Sequence, residues 1–267
     1  MKSLNKIVLA AGALAFSAFA NAAPVFTWDV TSTATWTNVQ PGSGITVSES
    51  GTKLSWGNVA PSAQSSLKVS GGGTVSGINT YFGSGVPPVS NATQTLSLTH
   101  TNNVLPGGST SLTGATLSVA MTVQATNPAG SSLGLGTIGY DIKFVETTNN
   151  EPCAAASPSG NPCNDIFVLL DGLLNESFLY GGQTYYVNAY PLNSSGVLNT
   201  LSNSACAAAG AANGCIGFTT VEGQPNTLPF GITISTERLQ VPEPGSLALV
   251  GLALAGLGYV GRRRRAA

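Results

Sequence analysis

Charge is what this chain has least of. Only 8% of its 267 residues are Asp, Glu, Lys or Arg, and histidine occurs once, at His100. Between residues 23 and 240 the cations are Lys53, Lys68, Lys143 and Arg238, against Asp29, Glu49, Asp141, Glu146, Glu151, Asp165, Asp171, Glu176, Glu222 and Glu237. Phosphate recognition needs clustered lysine and arginine, so no nucleic-acid partner is expected. The formal net charge of −1 hides this acidity, because Lys2, Lys6 and four arginines sit at the two ends. A sustained 3.6-residue apolar period is also missing from the body of the chain, which excludes a helical bundle.

The two ends are built differently from the rest. Lys2 and Lys6 precede an apolar core from Ile7 to Phe19, and Ala20-Asn21-Ala22 supplies the small residues a signal peptidase reads. A signal peptide over residues 1–22 is expected, cut after about Ala22. At the other end stand Val241, Pro242, Glu243 and Pro244, an uncharged run from Leu247 to Val260, then Arg262, Arg263, Arg264 and Arg265. With its Gly and Ser flanks the run approaches the roughly 17 to 20 residues that cross a bilayer. It reads as one short transmembrane helix, with the arginines held on the cytoplasmic side and the body of the chain on the far side. A permanent tail anchor and a buried hairpin helix are the plainer readings, the latter disfavoured because adjacent arginines need solvent or paired acids.

The order Pro-Glu-Pro, short apolar helix, arginine cluster over residues 241–267 resembles the PEP-CTERM sorting signal. The resemblance implies an exosortase, an integral membrane protease, that recognises the signal and removes the helix. It further implies an inner-membrane intermediate, delivery to the cell surface or extracellular matrix, and an exopolysaccharide or biofilm context. Signal peptidase and exosortase are then the processing partners.

The mature region, 23–240, is long enough for one domain with a core, and no shift in composition divides it. Ser, Thr, Gly and Asn alternate with Val and aromatics, a pattern of strands joined by turns. Period-two segments run over 26–36, 53–56, 66–69, 93–99 and 115–123, and further strands are expected over 138–146, 166–170, 184–189, 216–221 and 229–235. Gly71-Gly72-Gly73, Pro106-Gly107-Gly108, Asn127-Pro128 and Gly181-Gly182 punctuate them. The fold class read from this is all-β, an antiparallel β-sandwich or jelly-roll-like domain, flanked by the signal peptide and the C-terminal helix.

Cys153, Cys163, Cys206 and Cys215 all fall in the exported part, where oxidation is permitted. Neighbour pairing, Cys153 with Cys163 and Cys206 with Cys215, would clip two short loops. Zinc is the competing reading, with spacings wider than usual for paired ligands and the one histidine distant in sequence. Thr99, His100, Thr101 and Asn102 end an alternating strand before a Pro-Gly-Gly turn, where their side chains can bond a strand end. This tetrad resembles the signature of the THxN family of PEP-CTERM proteins. The segments 144–149 and 162–168 look like parts of the same family, which implies an extracellular domain of unassigned biochemistry.

Enzyme signals are weak. Gly130-Ser131-Ser132-Leu133-Gly134 fits Gly-x-Ser-x-Gly, but no helical pattern follows, and His100 precedes Ser132 in the wrong order for that hydrolase fold. Glu146, Glu151, Asp165, Asp171 and Glu176 are the carboxylates available for glycoside hydrolysis. Asn164-Asp165 and Asp171-Gly172 are a minor calcium possibility, since no consensus calcium loop is present. The expectation is an exported surface or matrix protein, structural or adhesive, with no enzyme activity, no cofactor and no metal. The alternative is a secreted carbohydrate-binding or glycoside-hydrolysing module in which Trp28, Trp36, Trp56 or Tyr81 stacks on sugar rings.

Overall fold

The computed structural model describes residues 23–85, 87–155, 157, 163–170, 174–192 and 199–239. The expected signal peptide and the sorting segment from 241, with its transmembrane helix, lie outside the described residues. Among those described, no helix is long and apolar enough to cross a membrane.

The body is all-β. Its strands are β1 (Thr27–Gln40), β2 (Thr46–Ser48), β3 (Lys53–Trp56), β4 (Ser65–Gly71), β5 (Gly73–Tyr81), β6 (Thr93–Asn102) and β7 (Gly114–Asn127). They continue as β8 (Ala129–Val145), β9 (Asp165–Leu169), β10 (Glu176–Tyr180), β11 (Gln183–Pro191), β12 (Asn199–Thr200), β13 (Ile216–Thr220) and β14 (Gln224–Ser235). One short helix, α1 (Asn203–Ala208), begins at Ser202, whose hydroxyl accepts from the Ala205 amide. All ten expected strands are present. β5 and β10 had little signal, because β5 is mostly exposed and carries Gly77, and β10 buries only Phe178 among its five residues.

The strands join in the order β12-β13-β9-β8-β7-β1-β5-β14-β6-β4-β3-β2, with β10 and β11 attached through β14. Every pairing is antiparallel except the short parallel match of β14 with β5, Ile234 with Thr80 and Ser235 with Tyr81. That junction divides the sheet into two ladders that turn their apolar faces toward each other. Trp28 of β1 meets Phe178 of β10 and Tyr185 of β11 edge-on at 5.4 and 5.0 Å. A residual cavity of about 40 Å³ is lined by Trp36, Leu117 and Tyr140 from one ladder and Val69, Leu98 and Ile232 from the other.

Trp28, Trp36 and Trp56 are all buried, at 0, 5 and 0% exposure. Their indoles form core contacts and do not face solvent as sugar platforms would. Two glycines permit close approaches. A Cβ on Gly71, at φ +89°, would lie 2.6 Å from the Thr95 carbonyl, and one on Gly217 would collide with the Phe167 carbonyl of the adjacent strand β9.

Registers bring seven strand ends together. In one ladder Trp56 pairs with Ser65, Ser66 with Thr101, and Asn102 with Gln224. In the other, Val145 pairs with Ile166 and Asp165 with Thr220. Residues 221–223 connect β13 to β14 and so join the two ladders at this end.

Candidate functional site

Strand periodicity decides which half of the Thr-His-Thr-Asn tetrad faces inward. His100 and Asn102 are buried at 1 and 0% exposure, while Thr99 and Thr101 point outward. Thr99 exchanges a hydroxyl hydrogen bond with Thr227 at 3.0 Å. The His100 ring is stacked on Trp56 at 5.6 Å and meets Phe144 and Phe167 edge-on. Its Nδ1 shares a 2.9 Å hydrogen bond with the Thr220 hydroxyl, and Nε2 has no hydrogen-bond partner among the described residues. Burial pushes the imidazole down to about 3, so it is neutral at physiological pH. Asn102 donates weakly to the Thr220 carbonyl at 3.4 Å, and its Oδ1 has no partner among the described residues.

Three carboxylates gather beside this pair. Glu146, Asp165 and Glu222 each present an oxygen, all within 4.8 Å of one another. Glu146 follows β8 and accepts the Trp56 indole N–H at 2.8 Å. Asp165 opens β9 with 0% exposure, and its Oδ1 accepts both the amide and the hydroxyl of Thr147, at 2.8 and 3.3 Å. Glu222, 6% exposed, sits in the β13–β14 turn, where the Gly223 amide donates to the Asn102 carbonyl at 2.9 Å. The Asn149 amide, oriented with its nitrogen toward acceptors, donates to the Cys163 carbonyl and to Glu222 Oε2. One oxygen of each carboxylate, Glu146 Oε1, Asp165 Oδ2 and Glu222 Oε1, has no hydrogen-bond partner among the described residues.

The electrostatics follow from burial without a counter-charge. Desolvation, then the neighbouring Glu146, pushes Asp165 up to about 9, against the opposing hydrogen bonds from Thr147. Desolvation, opposed by the Trp56 indole and reinforced by Glu222, raises Glu146 to about 7. Glu222 is raised by burial and held back by Asn149 and Asn102. The described lysines are engaged elsewhere: Lys53 and Lys68 with Glu49, and Lys143 with the Gly210 carbonyl.

The three sequence segments singled out earlier therefore converge. The tetrad 99–102 supplies His100 and Asn102, segment 144–149 supplies Phe144, Glu146 and Asn149, and the part of 162–168 that is described supplies Asp165 and Phe167. Thr147 fastens the last two together, since its hydroxyl also donates to the Cys163 carbonyl at 2.9 Å. Glu222 was not among the carboxylates picked from the sequence. It lies 120 residues from Asn102, in a turn that no motif marks.

The remaining candidates do not join this group. Cys153 pairs with Cys163 and Cys206 with Cys215, both disulfides as expected, and no cysteine is left free. Ser132 lies inside β8 opposite Gln124, in continuous strand and not at a strand-to-helix turn. Of the carboxylates considered for glycoside hydrolysis, Glu151 turns back to its local Cys153 amide and Glu176 is exposed on β10, while Asp171 lies outside the described residues. Glu146 and Asp165 do come together, Glu146 half-buried and Asp165 at 0% exposure.

The family model for the PEP-CTERM protein-sorting motif matches residues 240–265. This match covers the sorting residues Val241 to Pro244 and Arg262 to Arg265, and it supports a PEP-CTERM protein: one targeted to an exosortase, exported, processed at the membrane and displayed at the cell surface. No curated protein matches the chain.

Proposed function

We propose that this chain is a non-enzymatic component of the cell surface or extracellular matrix, structural or adhesive in an exopolysaccharide setting, with a β-sandwich body of the THxN type. The observation that carries the reading is the sorting motif at residues 240–265. The body suits such a role. Its outer face over β1, β5 and β7 carries cross-strand hydroxyl pairs, Thr27 with Thr126, Thr31 with Thr74 and Thr37 with Ser118, at 2.7 to 2.8 Å. Such a face is polar, with Asp29 its one charged group on these three strands, compatible with hydrated polysaccharide, and pairs of this kind stabilise the sheet they cover.

Support for a non-enzymatic role comes from the same site. Its histidine is neutral, buried and held between aromatic rings, and two of its three acids, Asp165 and Glu222, are buried while Glu146 is half-buried. The reading is tested by cell fractionation together with a pull-down on the cell's own exopolysaccharide. The mature protein is expected in the surface or matrix fraction, leaving the polymer uncleaved. Recovery with cytosolic enzymes would refute the location, and release of oligosaccharide from the polymer would refute the non-enzymatic role in favour of a glycoside-hydrolysing module.

A further inference from the structure

We propose that Glu146, Asp165 and Glu222, with Asn102, form a binding site for one calcium ion that ties the two ladders together at the β13–β14 turn. Three independent elements deliver carboxylate oxygens to one point, within 4.8 Å of one another. Oxygens ligating calcium sit about 2.3 to 2.6 Å from the ion, so opposite ligands lie about 4.6 to 5.2 Å apart and a single ion can touch all three. Magnesium holds its ligands at about 2.0 to 2.1 Å in a near-ideal octahedron and keeps several waters, which suits this span and this burial less well.

The cluster of acids does not stand alone. Asn102 is wholly buried beside the acids, its side-chain N–H group donates to the Glu222 carboxylate, and its Oδ1 has no partner among the described residues. An amide oxygen buried without a partner is costly, and calcium accepts amide oxygen as readily as carboxylate. Each carboxylate likewise keeps one oxygen free while its other oxygen is fixed by Trp56, Thr147 or Asn149. This is the arrangement of ligands oriented from behind by a surrounding shell of donors. No cationic side chain contributes to the shift at any of the three acids, so a bound cation would supply the missing positive charge.

The test uses the exported protein, purified, stripped with EDTA and exchanged into chelator-free buffer at pH 7.5. Calcium chloride, magnesium chloride and manganese chloride are added separately while the melting temperature is followed, and equilibrium dialysis with calcium gives the stoichiometry. One calcium per chain and a rise in Tm saturating with a Kd of about 10⁻⁴ to 10⁻³ M, the range of extracellular modules, is expected. Asp165→Asn and Glu222→Gln should each abolish the rise, and Asn102→Ala should weaken calcium by about tenfold or more. Glu49→Gln, remote from the site, should keep the full response. Near-UV circular dichroism verifies folding, so if one carboxylate variant does not fold the other decides. The absence of any calcium-dependent rise in the native sequence, or its survival intact in a folded Asp165→Asn or Glu222→Gln protein, overturns the site. An equal response to magnesium or manganese overturns the choice of calcium.

Discussion

His100 and Asp165 are buried within one site, yet burial moves them in opposite directions along the pH axis. The imidazole is pushed down to about 3, so the unfolded chain takes up a proton that the folded one refuses. Its contribution to stability is present above the ordinary histidine value of about 6.5 and is lost as the pH falls toward 3. Asp165 and Glu146 are pushed up to about 9 and about 7, so the folded state holds protons that the unfolded chain has released. Their contribution is full below about pH 4 and is lost as the pH rises through the folded values. Below about 6.5 the two trends oppose each other; above it the carboxylates act alone. In EDTA the melting temperature is therefore expected to fall from pH 6.5 to pH 9, and Asp165→Asn should flatten the descent. A denaturation series in which Tm climbs over this interval would contradict the assignment of the raised carboxylates.

The two disulfides clip loops of 10 and 9 residues' separation but sit in different company. Cross-linking loops of this length stabilises by about 2 to 3 kcal/mol through the unfolded chain, so Cys206→Ser with Cys215→Ser should lower stability by that amount in urea melts. Replacing Cys153 and Cys163 should cost a similar amount and, in addition, weaken the calcium response, because the Cys163 carbonyl holds Thr147 and Asn149 against Asp165 and Glu222. At the opposite side of the core, Trp28 packs edge-on against Phe178, Tyr180 and Tyr185, and its indole N–H donates to Thr80 at 2.8 Å. Trp28→Ala should destabilise by about 3 to 5 kcal/mol, read from the same melts. These elements also show what the sequence made legible. Alternation exposed β1, β3 and β6 because each has one face on the core and one on water. It gave little warning of β5, whose backbone pairs with β1 and β14 while most of its side chains remain in solvent. The disulfide partners were readable from short spacing, whereas the acidic group was not: its members at 146, 165 and 222 meet through the registers of β8 on β9 and β9 on β13 and the turn into β14.

Location and architecture come from different parts of this chain. The sorting motif speaks for export and display, while the body upstream of it supplies an apolar seam between two ladders and a polar exterior. Export itself has a chemical mark in the body, since both disulfides need an oxidising compartment to form and persist. On the proposed function this separates two events in sequence: crossing the membrane, which exposes the thiols to oxidant, and release from it at the Pro-Glu-Pro segment. Replacing Pro242, Glu243 and Pro244 together by alanine should therefore leave the body folded and its four cysteines oxidised, yet hold the protein in the membrane fraction with its C-terminal peptide attached. The native sequence should instead yield a mature protein whose C-terminus falls near residues 242–244. Intact-mass and C-terminal peptide mass spectrometry under non-reducing conditions reads both features at once. A native protein that retains its final residues, Arg262 to Arg265 included, would identify a permanent anchor in place of a released protein, without disturbing the assignment of the disulfides or of the buried carboxylates.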